Sequence, residues 1–552
     1  MNQLLKKSLI SFCDLDLVQK IILTIIFALF LNLFLENFIF ASSLDTLILR
    51  SVDDLAFQYV LRDKHENIMH LQMDKLFTMY HYGYGWLFWI VHVVLTFPFY
   101  LISLLGSDTL LISGARNISL ISMIGSCIFL FKSIRIYTND KYIPYFAVLL
   151  FISYPFFAFS ALSFRTVGQS TFFCTLTFYL MIRNNVLSKN DLKHIALSFA
   201  ACIGTKISTL VFAPLLCIFL MDRFKFRINK DNFKNALFFL KYFIPATIFF
   251  CNPSLFIAPF KWSLFTSYFD IMTFYFKQVH NSTVAERNIL ASFQNTYFLN
   301  FLHKYILATL AAFFLVKILH DLKTKKQNKF DFLYIFTFLT FSSIYLVYSI
   351  QMGDLYTAIY FFSFSFLLVF SIVILEKLEK RLRIIALTAL VAINSTLFID
   401  QIKHQHLSYY AKYNTEETQT FLKAHKDLQE LIDSKQKHNF LISSDAPLIY
   451  SSFRKNINST MIFDNISTFE EWTGHDEFDY ILLQRNDKMF SSDETFDKKY
   501  SNASDSLKST WIDSRKSIKK LMNDGQYRNS KYQIVYDKYD LILFRQTSSC
   551  DK

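Results

Sequence analysis

Glycine, proline and patterned cysteine are all scarce in this chain, and each shortage closes a class of architecture. Ten glycines and eight prolines in 552 residues exclude collagen-like and low-complexity readings. No glycine-rich phosphate loop occurs, so the sequence encodes no nucleotide cradle of that kind. The seven cysteines form neither a disulfide framework nor a zinc spacing. Cys127, Cys174, Cys202, Cys217 and Cys251 lie in apolar runs, Cys13 precedes the first of them, and Cys550 stands alone near the end. No repeat at solenoid spacing is present.

What the chain has instead is apolar length. Hydrophobic residues make up 53% and mean hydropathy is +0.28, too apolar for an ordinary soluble protein. The runs approach the roughly 20 residues needed to cross a hydrocarbon core. The charge is unevenly placed. Residues 1–400 hold 35 Lys and Arg against 22 Asp and Glu, whereas residues 401–552 hold 22 of each. An excess of +13 confined to the apolar part reads as topology and headgroup contact, not as a nucleic-acid footprint.

The positive-inside bias then orders the runs. Ile21–Ala41 is too long for a signal-peptide core, is flanked by Lys6, Lys7 and Lys20, and exits from the inner side. It delivers a long polar loop, Ser42–Gly83, to the outer side. If Gly85–Leu105 also spanned, the basic loops at 132–141 and 183–193 would both fall outside. The favoured reading is therefore a non-spanning helix along the outer surface, or one that returns at Pro98. Ile118–Phe131, Tyr145–Ala161 and Ser170–Ile182 are the next spans. Ile195–Met221 has basic flanks at both ends, which predicts a hairpin turning at Gly204-Thr205-Lys206. Ala236–Ile257, Leu299–Leu319, Phe332–Ile350, Tyr356–Leu375 and Ile384–Phe398 complete eleven spans and leave residues 401–552 outside. That tail reads as an α/β domain, with a helix over Thr415–Lys435 and strands at 440–443, 480–483, 532–535 and 541–544.

Charges that defy the membrane pattern gather at the outer edge. Asp53 and Asp54 follow the first span, Arg165 follows the third, Lys206 sits at the hairpin turn, Asn252-Pro253 ends an outward span, and Asp354 lies between later ones. Charges at membrane level are costly and usually functional. Cations there suit a phosphate or pyrophosphate, and a nearby carboxylate suits deprotonation of an acceptor in a displacement at an anomeric carbon.

These landmarks, in this order, resemble the GT-C fold integral membrane glycosyltransferases, with protein O-mannosyltransferases and lipid A aminoarabinose transferases as the nearest in pattern. Asp53-Asp54-Leu55-Ala56-Phe57 is similar to their acidic motif after the first span. Tyr82-Gly83-Tyr84-Gly85-Trp86 resembles the start of their juxtamembrane helix, and Ala115-Arg116-Asn117-Ile118-Ser119 the opening of the next span. Gly204-Thr205-Lys206 and Asn252-Pro253 resemble the hairpin tip and the Asn-Pro of the seventh span. Two positions depart: Gln169 stands near a place where many relatives carry Asp, and Leu355-Tyr356 replaces an Arg-Tyr pair.

The resemblance implies an all-α polytopic domain over 1–400, with residues 42–105 as a first outer loop containing a juxtamembrane helix, and a soluble α/β domain over 401–552. It implies sugar transfer from a polyprenyl-phosphate donor to a lipid, glycan or protein acceptor on the outer face of a bacterial inner membrane. Asp53, with Asp54 as the alternative, would be the base. Lys206, Arg165 and Lys75 would contact donor phosphate, and His81, Tyr82, Tyr84, Gln169, Asn252 and Tyr356 would line the substrate cavity. No cofactor is expected, a divalent cation being the alternative, and the bilayer is the remaining partner. A lipid-linked sugar transporter would instead show internal repeats and mid-membrane charges. A non-catalytic scaffold with an outer binding domain would leave Asp53 replaceable.

The topology is testable directly. Single cysteines introduced at 137–141 and in the tail of a cysteine-free variant should differ in labelling by a membrane-impermeant maleimide, with only the tail labelled from outside. Labelling at 137–141 from outside would reverse the reading.

Overall fold

In a computed structural model, residues 15–40, 52–72, 76–77, 85–103, 109–152, 155–184, 186–213, 216–217, 219–220 and 230–253 are described, with six positions (385, 388, 392, 395, 396 and 399) further on. In the tail the structure describes residues 416–432, 438–443, 457–463, 478–484, 516–527, 530–539 and 541–549. The expected spans between 299 and 375 lie outside these residues.

The first part is a helical bundle: α1 (Leu17–Phe40), α2 (Val52–Met69), α3 (Trp86–Ser103), α4 (Thr109–Tyr137), α5 (Ile143–Ile152), α6 (Pro155–Ala161), α7 (Thr166–Ile182), α8 (Lys189–Thr205) and α9 (Lys230–Cys251). Among the described residues four helices are long and apolar enough to cross a membrane: residues 17–38 of α1, α3, residues 110–137 of α4, and α9. Phe27, Leu31, Phe34 and Leu35 of α1 are exposed. A helix apolar on its outer as well as its inner face is the pattern expected where hydrocarbon is the solvent. The inner faces share one core, in which Leu33, Leu130, Ile134, Ile143, Ile195 and Ala196 are buried.

Polar side chains seal one pole of the bundle. Asp16 and Gln19 bond reciprocally to each other's backbone N–H and begin α1, while Lys141 Nζ reaches Asp16 Oδ2 at 2.6 Å. The Lys141 ammonium, with the Gln19 amide, holds the Asp16 carboxyl down at about 2. At the same pole Ser188 caps α8 in a capping box with Asp191, and Arg183 Nη2 meets Asp191 Oδ1 at 2.6 Å, tying the end of α7 to the start of α8.

The chain beyond α1 does not stay a loop. Val52–Met69 is helical and buries Leu61 and His65 against α3. Six charged residues in eighteen exclude it as a span. The expected span Tyr145–Ala161 is divided into α5 and α6, the second opening on Pro155, whose ring suits a first helical turn.

α3 is continuous through Pro98, so it does not return there. Its contacts all lie at the pole opposite Asp16 and Asp191. Gly85, just before it, donates its N–H to the Thr205 carbonyl at the end of α8. Trp86 packs edge-on against Phe249 at the end of α9. His92 meets Phe164 and Gln169 at the start of α7, and the Phe99 ring covers Gly114 near the start of α4. α8 and α9 run toward that pole, and α4 and α7 run away from it. A helix of about 27 Å whose two ends and middle touch one pole lies across the bundle, although its length and composition would permit a crossing.

The hairpin turn falls where charge and glycine predicted it. α8 ends at Thr205, Lys206 is extended (φ −151°, ψ 111°), and Ile207–Phe212 continues as a 3-10 helix. This is the irregular backbone that two short arms require.

The tail is an α/β layer. α10 (Glu416–Leu431) precedes β1 (His438–Ser443), β2 (Ile457–Phe463), β3 (Tyr480–Gln484), β4 (Gln526–Tyr527), β5 (Ser530–Lys538) and β6 (Leu541–Ser549). The sheet order is β2-β1-β3-β6-β5-β4, parallel over the first three strands and antiparallel after them. Alternate residues Phe440, Tyr480, Leu482, Leu541 and Leu543 bury one face against Ala424, Leu428 and Ile432. β2 and β4 were not anticipated, whereas the β5–β6 hairpin turns at Tyr539, as expected.

The hairpin tip makes a prediction about stability. A Cβ on Gly204 would collide with Phe250 of α9, including its backbone at 3.0–3.1 Å, whereas one on Gly125 meets only the movable ring of Phe172. Gly204→Ala should lower stability by about 1–3 kcal/mol, and Gly125→Ala by less. Thermal unfolding of the detergent-solubilised chain checks this order.

Candidate functional site

The pole crossed by α3 carries the polar residues singled out in the sequence. Lys206 is held at the hairpin turn by its own backbone: its N–H donates to the Cys202 carbonyl, and its carbonyl accepts from the Thr209 N–H and hydroxyl. Its side chain is buried, at 7% exposure. Arg165 is the residue before α7, extended (φ −136°, ψ 160°), and its guanidinium is near enough to repel the Lys206 ammonium. Among the described residues no carboxylate forms an ion pair with Lys206. A buried ammonium with a second cation in reach is unfavourable, and an anion beside it would relieve the cost.

Arg165 is located by its neighbours. Phe164 is fully buried against Phe88, Trp89 and His92 of α3, with ring centroids 5.6, 6.2 and 4.6 Å away. One turn on, Gln169 is 2% exposed and its amide lies 3.2 Å from His92 Nδ1. Gln169 is thus enclosed by protein and held against α3. Asn252 is buried directly after α9, its N–H donating to the Ile248 carbonyl, so the Asn-Pro pair ends that helix near the hairpin tip.

Asp53 and Asp54 lie in the first turn of α2, the helix that packs on α3. Nothing beyond this backbone position is described for them. Lys75, His81, Tyr82, Tyr84, Asp354 and Tyr356 lie outside the described residues. Among the described residues no group of three His, Cys, Asp or Glu side chains could hold a metal ion.

The sequence reading missed how much polarity this pole buries. His65, His92, Lys64, Arg62, Asn67 and Arg116 are all buried there or next to it. His92 was the detectable one, the one histidine inside the apolar run 86–103. His65 Nε2 donates toward the Val93 carbonyl at 3.0 Å, and its ring stacks on Tyr100 at 4.6 Å and 8°. Deeper in, Asn37 of α1 donates to Asn117 Oδ1 and to the Ala161 carbonyl, fastening three helices at one level.

Burial pushes the His65 imidazole down to about 4 from 6.5, its bond to the Val93 carbonyl opposing the shift only in part. The charged residues beside it are Arg62, Lys64 and Glu66 of its own helix; α3 faces it with Val93, Thr96, Phe97 and Tyr100. The folded ring is neutral and the unfolded one binds a proton near 6.5. Stability is therefore full above pH 6.5 and falls as pH drops toward 4. Between pH 7 and pH 5 the wild type should lose about 2 kcal/mol more than His65→Gln, read from unfolding midpoints at the two pH values. Equal losses would place His65 in water.

No family model matches the chain, and no curated protein matches its sequence. Two solved structures are similar to it in outline. ArnT from Cupriavidus metallidurans bound to undecaprenyl phosphate superposes with a TM-score of 0.49 and 10% identity, covering 95% of this chain and 98% of that one. ArnT from the same organism in the apo state gives a TM-score of 0.49 and 10% identity over 94% and 98%. A likeness at this level carries nothing about individual residues or chemistry.

Proposed function

We propose that this chain is a membrane glycosyltransferase that moves one sugar from a polyprenyl-phosphate carrier to an acceptor at the outer face of the membrane. The observation that carries the reading is the burial of Lys206 at the hairpin turn, within electrostatic reach of Arg165 and unpaired with any described carboxylate. Paired cations at that depth fit the phosphate of a lipid whose chain remains in the bilayer, and such a donor needs no nucleotide pocket.

In this reading Asp53 takes the proton from the acceptor hydroxyl or amine. The acceptor atom bonds to the anomeric carbon, and the bond from that carbon to the phosphate oxygen breaks with its electron pair on the oxygen. Phosphate goes from a singly charged diester toward a doubly charged monoester. Lys206 and Arg165 stabilise the charge as it grows, and act most strongly where water is excluded. Asp54 is the alternative base, being the neighbouring residue in the same turn of α2. Lys75, His81, Tyr82, Tyr84 and Tyr356 are proposed to complete the cavity on the strength of the sequence resemblance. The donor sugar and the acceptor, whether lipid, glycan or protein, are set by loop and cavity shape that fold alone does not specify. A bacterial inner membrane, with the tail domain outside, is the proposed setting.

The test is transfer of radiolabelled sugar from polyprenyl-phosphate donors in membranes at matched expression. Label should move to a new acceptor with the wild type, be abolished in Asp53→Asn, and fall on the order of 100-fold in Lys206→Ala. Full transfer by Asp53→Asn would move the base to Asp54, and absence of transfer from every donor would reject the reading.

A further inference from the structure

Two buried histidines, His65 packed on α3 and His92 within it, have no part in the chemistry above, yet both make contacts around one turn of that helix. His65 of α2 bonds to the Val93 carbonyl and lies 3.2 Å from the Thr96 hydroxyl, with its ring flat on Tyr100. The Thr96 hydroxyl in turn donates to the His92 carbonyl at 2.6 Å. His92 turns the other way. Its Nδ1 sits 2.9 Å from the Phe88 carbonyl and 3.2 Å from the Gln169 amide, and its ring packs on Phe164. Both histidines have 0% exposure. The turn His92–Thr96 thus joins the helix that begins with Asp53-Asp54 to the segment that presents Arg165.

We propose that His65 and His92 are positioning residues, a clasp on α3 that fixes the acidic start of α2 relative to Arg165 and Lys206; the functional part of this rests on the transferase reading. Asp53 precedes His65 by twelve residues on one helix, about 18 Å along its axis. A small tilt allowed at His65 is therefore magnified at the carboxylate. Arg165 lies between two residues that touch His92, Phe164 before it and Gln169 one turn after it. The two histidines divide the task. His65 sets where the base stands, and His92 sets where the phosphate is held. Misplacement of either by about 1 Å is enough to cost on the order of 100-fold in rate.

Hydrogen–deuterium exchange on the full chain in lipid nanodiscs tests the clasp without reference to any reaction. His92→Phe keeps an aromatic ring and removes the polar contact, and should raise exchange over 164–170 about 10-fold. His65→Leu should do the same over 60–69. Residues 189–205 should be unchanged in both. His65→Gln, whose amide N–H reaches the Nε2 position, should restore the wild-type pattern. Transfer kinetics then separate the roles: His65→Leu should lower kcat on the order of 100-fold with donor KM within about twofold, and His92→Phe should raise donor KM. Unchanged exchange at 164–170 and 60–69, or a rise extending equally over 189–205, overturns the proposal. If the wild type moves no sugar while the local pattern holds, the clasp stands and only the transferase reading falls.

Discussion

A single backbone hydrogen bond, from the Gly85 N–H to the Thr205 carbonyl, sets how close α3 comes to the hairpin tip. It requires that neither chain carry a side chain at the contact. A Cβ on Gly85 would land on the Gly204 carbonyl, and one on Gly204 would land on Phe250. Two of only ten glycines are therefore used where three elements converge. That convergence places Trp86 beside Phe249 and brings Lys206 to the same pole as the start of α7. α3 is then long enough to cross the ends of α8, α7 and α4 in turn, gathering residues far apart in sequence into one layer.

The two poles treat charge in opposite ways. At the pole of Asp16 and Asp191, carboxylates meet Lys141 and Arg183 at 2.6 Å and cap helices, so each charge is matched within the protein. Such pairs fix helix ends and leave no demand for a ligand. At the opposite pole Lys206 is buried within electrostatic reach of Arg165, and among the described residues no carboxylate pairs with Lys206. Burying one of two like charges costs stability, and the cost is reduced when an anion lies between them. Buried histidine, threonine and glutamine beside α3 hold the geometry of this pole.

Charge and apolar length made a good part of this legible. The basic residues of 132–141 and 183–193 argued against a crossing by 85–105, and α3 meets the ends of α8 and α9 and the starts of α7 and α4. Basic flanks on both sides of 195–221 located the hairpin turn at Lys206, where the backbone is extended. Short apolar runs at 440–443, 480–483 and 541–544 marked strands, and successive residues such as Ile481 and Leu482 are buried on both faces of the sheet. β2 escaped because Ile457-Asn458-Ser459-Thr460 does not alternate. α2 escaped because its charged composition reads as loop, and its helix is specified by packing on α3 more than by propensity. The contact of Gln169 with His92 was not legible, because the two lie seventy-seven residues apart and no local pattern joins them.

The central claim is that Lys206 and Arg165 form an anion site for a lipid phosphate. Its most direct test is native mass spectrometry of the purified full-length chain titrated with undecaprenyl phosphate, comparing wild type with Lys206→Ala and Arg165→Ala. The account predicts one retained lipid on the wild type, and affinity at least tenfold weaker in either variant, as expected when a charge-assisted contact to phosphate is lost. Equal retention by all three proteins would contradict it.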